Sequence, residues 1–360
     1  MRALPALGLT ILACTPGGSS ISSFGEPSGS PTTEPPASSS SGNPGSTSTG
    51  EQSTGDVDTG SSTTSITNDM GSMPDFGPAG PPGCQGKIDF LFVIGDTKFM
   101  APYQERLIAA FPEFITTIAS EYADFDAHIL VTSTSPGWGY FMCESCLSCS
   151  DCTCDAGGPG YPCGAAPELT ECDGKLGSGV VFPAGPGATN HRCDLDSDDR
   201  YISAVTPDPA DAFACIAQLG TPGGGETSAI DAMFAALSDD FNSVHGCNAG
   251  FLRKDALLVV TIIDQEGNTP SYTPEVWNWM LADKKSGDED AIVVLAIQDD
   301  SGAPEGTCKP YTKWRNLLLH EFADAVAHGV KGSLCSTDYN DYFMQAATLA
   351  LQQCEALVPQ

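Results

Sequence analysis

The residues of this chain best equipped for chemistry are its fifteen cysteines. Five of them fall in the run CESCLSCSDCTC at 143–154. Thiolates at two-residue spacing are good zinc ligands, and Cys143, Cys146 and Cys149 begin like an iron–sulfur run. The fourth iron–sulfur ligand would fall at Thr153, with no proline after it, which argues against a cluster. No histidine stands nearby in sequence to complete a mixed zinc site. Disulfides and zinc are the two readings left, and an oxidising compartment favours disulfides.

Other constellations are weaker. CDLDSDDR carries Asp194, Asp196, Asp198 and Asp199 at calcium-loop spacing, but the glycine at the sixth position and the closing glutamate are both missing. A solvated acidic loop is the simpler reading. His128, His191, His245, His320 and His328 have no catalytic or metal-binding neighbours in sequence. His320-Glu321 is not followed by a second histidine four residues on, and the chain has no G-x-S-x-G. GTPGGGE at 220–226 lacks the Lys-Ser/Thr of a phosphate loop. No catalytic residue is expected. An exported hydrolase with an unrecognised site is the remote alternative, and an exported zinc- or calcium-binding module is the nearer one.

Composition divides the chain. Residues 14–83 are rich in Ser, Thr, Gly and Pro and hold seven acids, no base and few large apolar residues. Such a segment cannot bury enough surface to offset its ordering entropy and reads as a disordered linker. As a flexible chain it would span about 45 Å. The net charge is −31, and without the linker and Arg2 there remain 39 acids against 14 bases, or −25. That sign excludes nucleic acid and favours cations or basic partners. Ahead of the linker, MRALPALGLTILAC sets one Arg before an apolar run too short to span a bilayer. Ile11-Leu12-Ala13-Cys14 resembles a bacterial lipobox, which implies a signal peptide at 1–13, lipid attachment at Cys14 and, with Thr15 rather than Asp following, sorting to the outer membrane or cell surface. The lipid would be the chain's only membrane contact.

Setting Cys14 aside leaves an even set: Cys84, Cys143, Cys146, Cys149, Cys152, Cys154, Cys163, Cys172, Cys193, Cys215, Cys247, Cys308, Cys335 and Cys354. This number allows up to seven disulfides, whose pairing spacing alone does not reveal.

The elements that must position these residues alternate. Apolar runs at 87–94, 126–135, 255–264 and 291–298 read as strands buried on both faces, with a shorter strand near 329–335. Helical periodicity appears at 101–122, 208–219, 228–241, 275–285, 312–326 and 341–357. Residues 136–205 form a long insert rich in Cys, Gly, Pro and Asp. Alternating strands and helices imply an α/β domain at 84–360 with a mainly parallel sheet, its ligand site at the strand C-termini.

KIDFLFVIGDTKFM (87–100) resembles the start of a von Willebrand factor A (vWA) domain. It is most similar to the cysteine-rich lipoprotein versions common in myxobacteria, with further matches at 212–221, 251–266 and 334–343. The resemblance implies a Rossmann-like three-layer fold and a metal-ion-dependent adhesion site. That site draws Asp-x-Ser-x-Ser from the loop after the first strand, a Thr from a second loop and an Asp from a strand end. Here the motif is altered: its Asp aligns with Gly95, its first Ser with Thr97 and its second with Phe99, while Lys98 stands at a small-residue position. Asp96 supplies a carboxylate only with a one-residue shift. Asp264 matches the strand-end Asp, with Glu266 two residues on; Thr221 and Thr227, the latter beside Glu226, compete for the second-loop Thr. The remnant set Thr97, Thr227 and Asp264 is expected to hold Mg²⁺ or Ca²⁺ weakly or not at all, with no other cofactor. The expected role is non-enzymatic adhesion to a protein partner, with the insert as the main source of specificity.

Overall fold

Four apolar runs become strands because each has too few polar positions to show either face to water, and the shorter GVKGS adds an edge strand with Gly329 and Lys331 exposed. The computed structural model describes residues 83–121, 125–136, 169–195, 197–222, 228–265, 272–313 and 315–358. The signal segment, Cys14, the linker as far as residue 82 and the cysteine run at 143–154 lie outside them. In chain order the elements are β1 (Lys87–Ile94), α1 (Ala101–Glu121), β2 (Asp126–Ser133), α2 (Pro209–Ala217), α3 (Ala229–Ala236), α4 (Asp239–Asn242), β3 (Leu257–Asp264), α5 (Pro274–Asp283), β4 (Ile292–Gln298), α6 (Leu318–Ala325), β5 (Gly329–Ser333) and α7 (Asn340–Ala356).

The strands form one parallel sheet in the order β2-β1-β3-β4-β5. Strand alternation divides the core into two layers. Phe90, Phe92 and Ile94 face α1, α2 and α7, while Leu91 and Val93 face the side of α3, α5 and α6. The first layer is aromatic: Phe111 and Phe213 stack at 3.6 Å and 7°, and Phe92 meets Phe213 edge-on at 4.8 Å. The expected three-layer α/β fold is therefore the fold found. In this order the chain leaves β1 for β2 on one side and β3 on the other, so the switch point lies where β1 and β3 end, at Gly95 and Asp264.

Two helices differ from their periodicity. The pattern at 312–326 yields a helix only from Leu318. The residues before it are committed to the end of β4: Arg315 pairs with Asp299 at 2.8 Å, and Gln298 donates to the Asn316 carbonyl at 3.0 Å. The pattern at 228–241 breaks into α3 and α4 because Ser238 caps a new helix, accepting from the Phe241 N–H.

Four disulfides are described: Cys84–Cys354, Cys172–Cys247, Cys193–Cys215 and Cys308–Cys335. They fit an exported protein in an oxidising compartment. Cys84–Cys354 ties the start of β1 to α7 across 270 residues.

The opposite end of the sheet holds a buried ionic network. Arg253 donates from its backbone N–H and its Nε to Asp89, both at 2.7 Å, and from Nη1 to Asp126 at 2.6 Å. Lys285 donates to the carbonyls of Arg253 and Ala256 at 2.6 and 2.7 Å. Burial raises the Asp89 carboxyl while Arg253 and Lys285 oppose the rise. Burial likewise pulls Lys285 down from 10.5 to about 8. Between those values the unfolded chain holds a proton that the folded chain has released, so Lys285 makes stability rise with pH across that window. In urea unfolding from pH 7.5 to 10.5, the slope of stability against pH should be more positive for the wild type than for Lys285→Met. Parallel slopes would show that Lys285 titrates normally.

Candidate functional site

At the switch point β1 stops and its last carbonyls turn into the loop 95–100. The Gly95 N–H donates to Ile263 at 2.8 Å, keeping the loop on β3 for one more residue. A Cβ on Gly95 would stand 2.6 Å from Asp264 Oδ1 and 3.2 Å from the Met100 side chain. The Asp264 carboxylate therefore fills the space that a side chain at 95 would occupy. Thr97 lies two residues beyond Gly95 in this loop, and its hydroxyl is buried without a hydrogen-bond partner. Glu226, Thr227 and Glu266 lie outside the described residues.

The remaining motif positions point elsewhere. Lys98 and Phe99 are exposed, with the Lys98 ammonium 4.8 Å from the centre of the Phe99 ring. Thr221 is tied to the insert: its N–H donates to Pro186 at 2.8 Å and its hydroxyl to the same carbonyl at 3.3 Å. Asp96 is buried, and one of its oxygens accepts from the Ser135 hydroxyl at the end of β2. Burial raises its carboxyl, against the lowering influence of Ser135, Ser133 and Thr134. With the one-residue shift the Asp96 carboxylate is therefore tied to the residues that follow β2.

Gln104 was not singled out by sequence reasoning. It donates to the Gly95 carbonyl at 2.8 Å and the Gly220 carbonyl at 2.9 Å, and accepts from the Gly220 N–H at 3.0 Å. One buried amide thus joins the β1 loop to the 220 loop. Its signal was a polar residue on the apolar face of α1, three positions before Leu107.

Other sequence candidates resolve into structural roles. Among the described residues, a group with metal-ligand types within 4.8 Å of one another is Asp299, Asp300 and Cys308, not the 193–200 loop. Its atoms have other partners. Asp300 accepts from the Thr307 and Cys308 N–H groups, both at 2.7 Å; Asp299 holds Arg315; Cys308 is in a disulfide. Burial resists ionisation of Asp299, but Ser301 and Arg315 outweigh it and the carboxyl is lowered. In the acidic loop Asp194, Asp198 and Asp199 are exposed; Asp196 is outside the described residues. His320 donates to the Gly332 carbonyl at 2.9 Å, and His328 pairs with Asp290 at 2.9 Å. His128 contacts the Phe251 carbonyl at 3.0 Å and lies against Tyr201, the rings tilted by 35°.

No family model and no curated protein matches the chain. Solved structures of proximal thread matrix protein 1 from the mussel byssus match at 11% identity and a TM-score of 0.32, over 76% of this chain and 47% of theirs. A form of that protein with a zinc-occupied MIDAS motif matches at 10% identity and a TM-score of 0.32, over 77% and 49%. The chain spans about half the length of these structures. A likeness this distant assigns no residue a role.

Gly95→Ala sets a methyl against the Asp264 carboxylate and should cost about 1–3 kcal/mol. Asp264→Ala should recover part of that loss. A double-mutant cycle measured by urea unfolding should give a clear coupling between the two positions. Additive effects would show that the two side chains do not compete for one space.

Proposed function

We propose that this chain is a lipid-anchored cell-envelope protein whose vWA-like domain binds a protein partner without catalysing a reaction. The observation that carries this reading is the exchange at the switch point. Where the resembling family places a metal-binding acid, this chain has Gly95, with the Asp264 carboxylate folded into the vacated space. A divalent ion at that point would lose its main carboxylate ligand and gain Lys98 in the same loop. Binding there is accordingly metal-independent.

The loop offers other chemistry. Lys98 and Phe99 form an exposed cation–aromatic pair at the end of the sheet where ligands of such folds dock. The insert is held to the same end through Thr221 and Pro186, so loop and insert form a joined surface. Anchoring at Cys14 and the linker 14–83 would hold this surface about 45 Å from the membrane. The domain's excess of acids favours a basic partner.

Two measurements test the reading. In detergent phase partition of the expressed full chain, the wild type should enter the detergent phase and Cys14→Ser should stay in the aqueous phase. Equal partition would remove the anchor. Cells displaying the chain should adhere to an envelope-protein-coated surface equally with and without added Mg²⁺ or Mn²⁺, and Lys98→Ser with Phe99→Ser should lose most adhesion. Adhesion that requires those ions and disappears in Asp264→Ala would overturn the metal-independent reading.

A further inference from the structure

Helix α5 buries one side and leaves the other to solvent. Trp277, Leu281 and Ala282 join the core layer that α3 and α6 share. Glu275, Trp279 and Asp283 stand two residues from Trp277 or Leu281, roughly 200° round the helix axis. All three are exposed. Trp279 is 68% exposed, and Val276, one turn before it on the same side, is 37% exposed. Tyr272, just ahead of the helix, is 58% exposed. Single exposed apolar residues need no explanation, but tryptophan is highly buried on average, and here it extends a run of apolar side chains.

The charges around this indole are of one sign. Glu275 lies one turn before Trp279 and Asp283 one turn after it, the two carboxylate positions being about 12 Å apart along the axis. Glu289 adds a third exposed acid, to which Asn278 donates at 3.4 Å. The two bases that follow the helix do not offset them. Lys284 reaches Asp239 at 3.6 Å, and Lys285 is buried on backbone carbonyls. Three kinds of occupant suit an exposed aromatic face: a second copy of the chain, a lipid surface or another protein. Charge separates them. A second copy would set the same acids against these, and an anionic headgroup would be repelled as well. A cationic segment gains twice, from the indole face and from the carboxylates on either side. Arginine gains most, because its planar group stacks on an aromatic ring and still presents N–H donors to a carboxylate.

We propose that the exposed side of α5, with Trp279 between Glu275 and Asp283, is a docking surface for an arginine-rich segment of a protein partner. It belongs to the layer of α3, α5 and α6, whereas the 95–100 loop leads into α1 of the other layer. This contact is additional to the one at Lys98 and Phe99 and does not depend on it.

The test is fluorescence anisotropy of a labelled Arg/Ala peptide, with Arg at every fourth position, titrated with the full chain. Wild type should bind this peptide but not its counterpart with Glu in place of Arg, and binding should weaken as salt rises. Trp279→Ala should weaken binding by about ten-fold or more, and so should Glu275→Gln combined with Asp283→Asn. Val358→Ser, at an exposed apolar side chain beyond α7, should bind like wild type. The altered side chains are all exposed, so each variant should melt with the wild type. No binding of the Arg peptide by wild type would overturn the proposal. Equal binding by wild type and Trp279→Ala would overturn it by showing only a diffuse attraction to an acidic surface. A dimer that Trp279→Ala dissociates in sedimentation would overturn it by giving the face to a second copy. Binding of the Cys14→Ser chain to anionic vesicles, abolished by Trp279→Ala, would overturn it by giving the face to a lipid surface.

Discussion

A side chain at position 95 and the buried pose of Asp264 exclude each other, and the arrangement of this end of the sheet follows from that exclusion. With glycine at 95, β1 can run one residue further along β3 and still leave room for the β3 acid. The next carboxylate, at 96, then emerges on the other side of the strand, because successive side chains alternate. It meets the serines of β2 instead of the acid of β3. Asp264 and Asp96 thus take different surroundings, one in the space a Cβ at 95 would fill and one on the Ser135 hydroxyl.

The parallel sheet imposes a second demand, at its edges. A strand such as β2 pairs on one side only and leaves backbone groups to satisfy on the other. The insert meets that demand. Val180 donates to the Val131 carbonyl at 2.8 Å, and Ile129 and Ile202 form an antiparallel bridge. Asn248 holds the incoming segment: its side chain accepts from the Gly179 N–H at 2.9 Å and donates to the Gly177 carbonyl at 2.9 Å. The Cys172–Cys247 bridge sits one residue from that asparagine. An insert that looks like a decoration in sequence is therefore part of how the sheet ends.

Four of the strands were readable because a strand buried on both faces is a short apolar run rich in β-branched residues, whereas β5, with Gly329 and Lys331 exposed, showed only as a short stretch after a helix. Helix existence was readable from periodicity, but helix limits were not. Around 312–317 the apolar pattern is present, yet Gln298 and Asp299 at the end of β4 claim the backbone and Arg315. Disulfide pairing was hidden for a different reason, since Cys84 and Cys354 meet only after the whole domain has closed. At the site, Gly95 and Asp264 were legible as a departure from a motif. The turn of Asp96 towards Ser135 was not, because its partners come from the end of β2 and an insert whose path no local pattern reveals.

The insert and the strand-end loops cannot act as independent surfaces. A Cβ on Gly220 would collide with the backbone of Ala188, and one on Gly185 would stand 2.7 Å from Pro222. Both glycines have positive φ, which side-chain-bearing residues rarely adopt. The two segments therefore touch backbone to backbone, and Thr221 adds two hydrogen bonds to Pro186. Gln104 carries the same connection onward to Gly95. A displacement of the insert must then move the 220 loop, and through Gln104 it must strain the loop that presents Lys98 and Phe99. The described part of the insert and the 95–100 loop are therefore mechanically joined, and the recognition surface proposed above spans both.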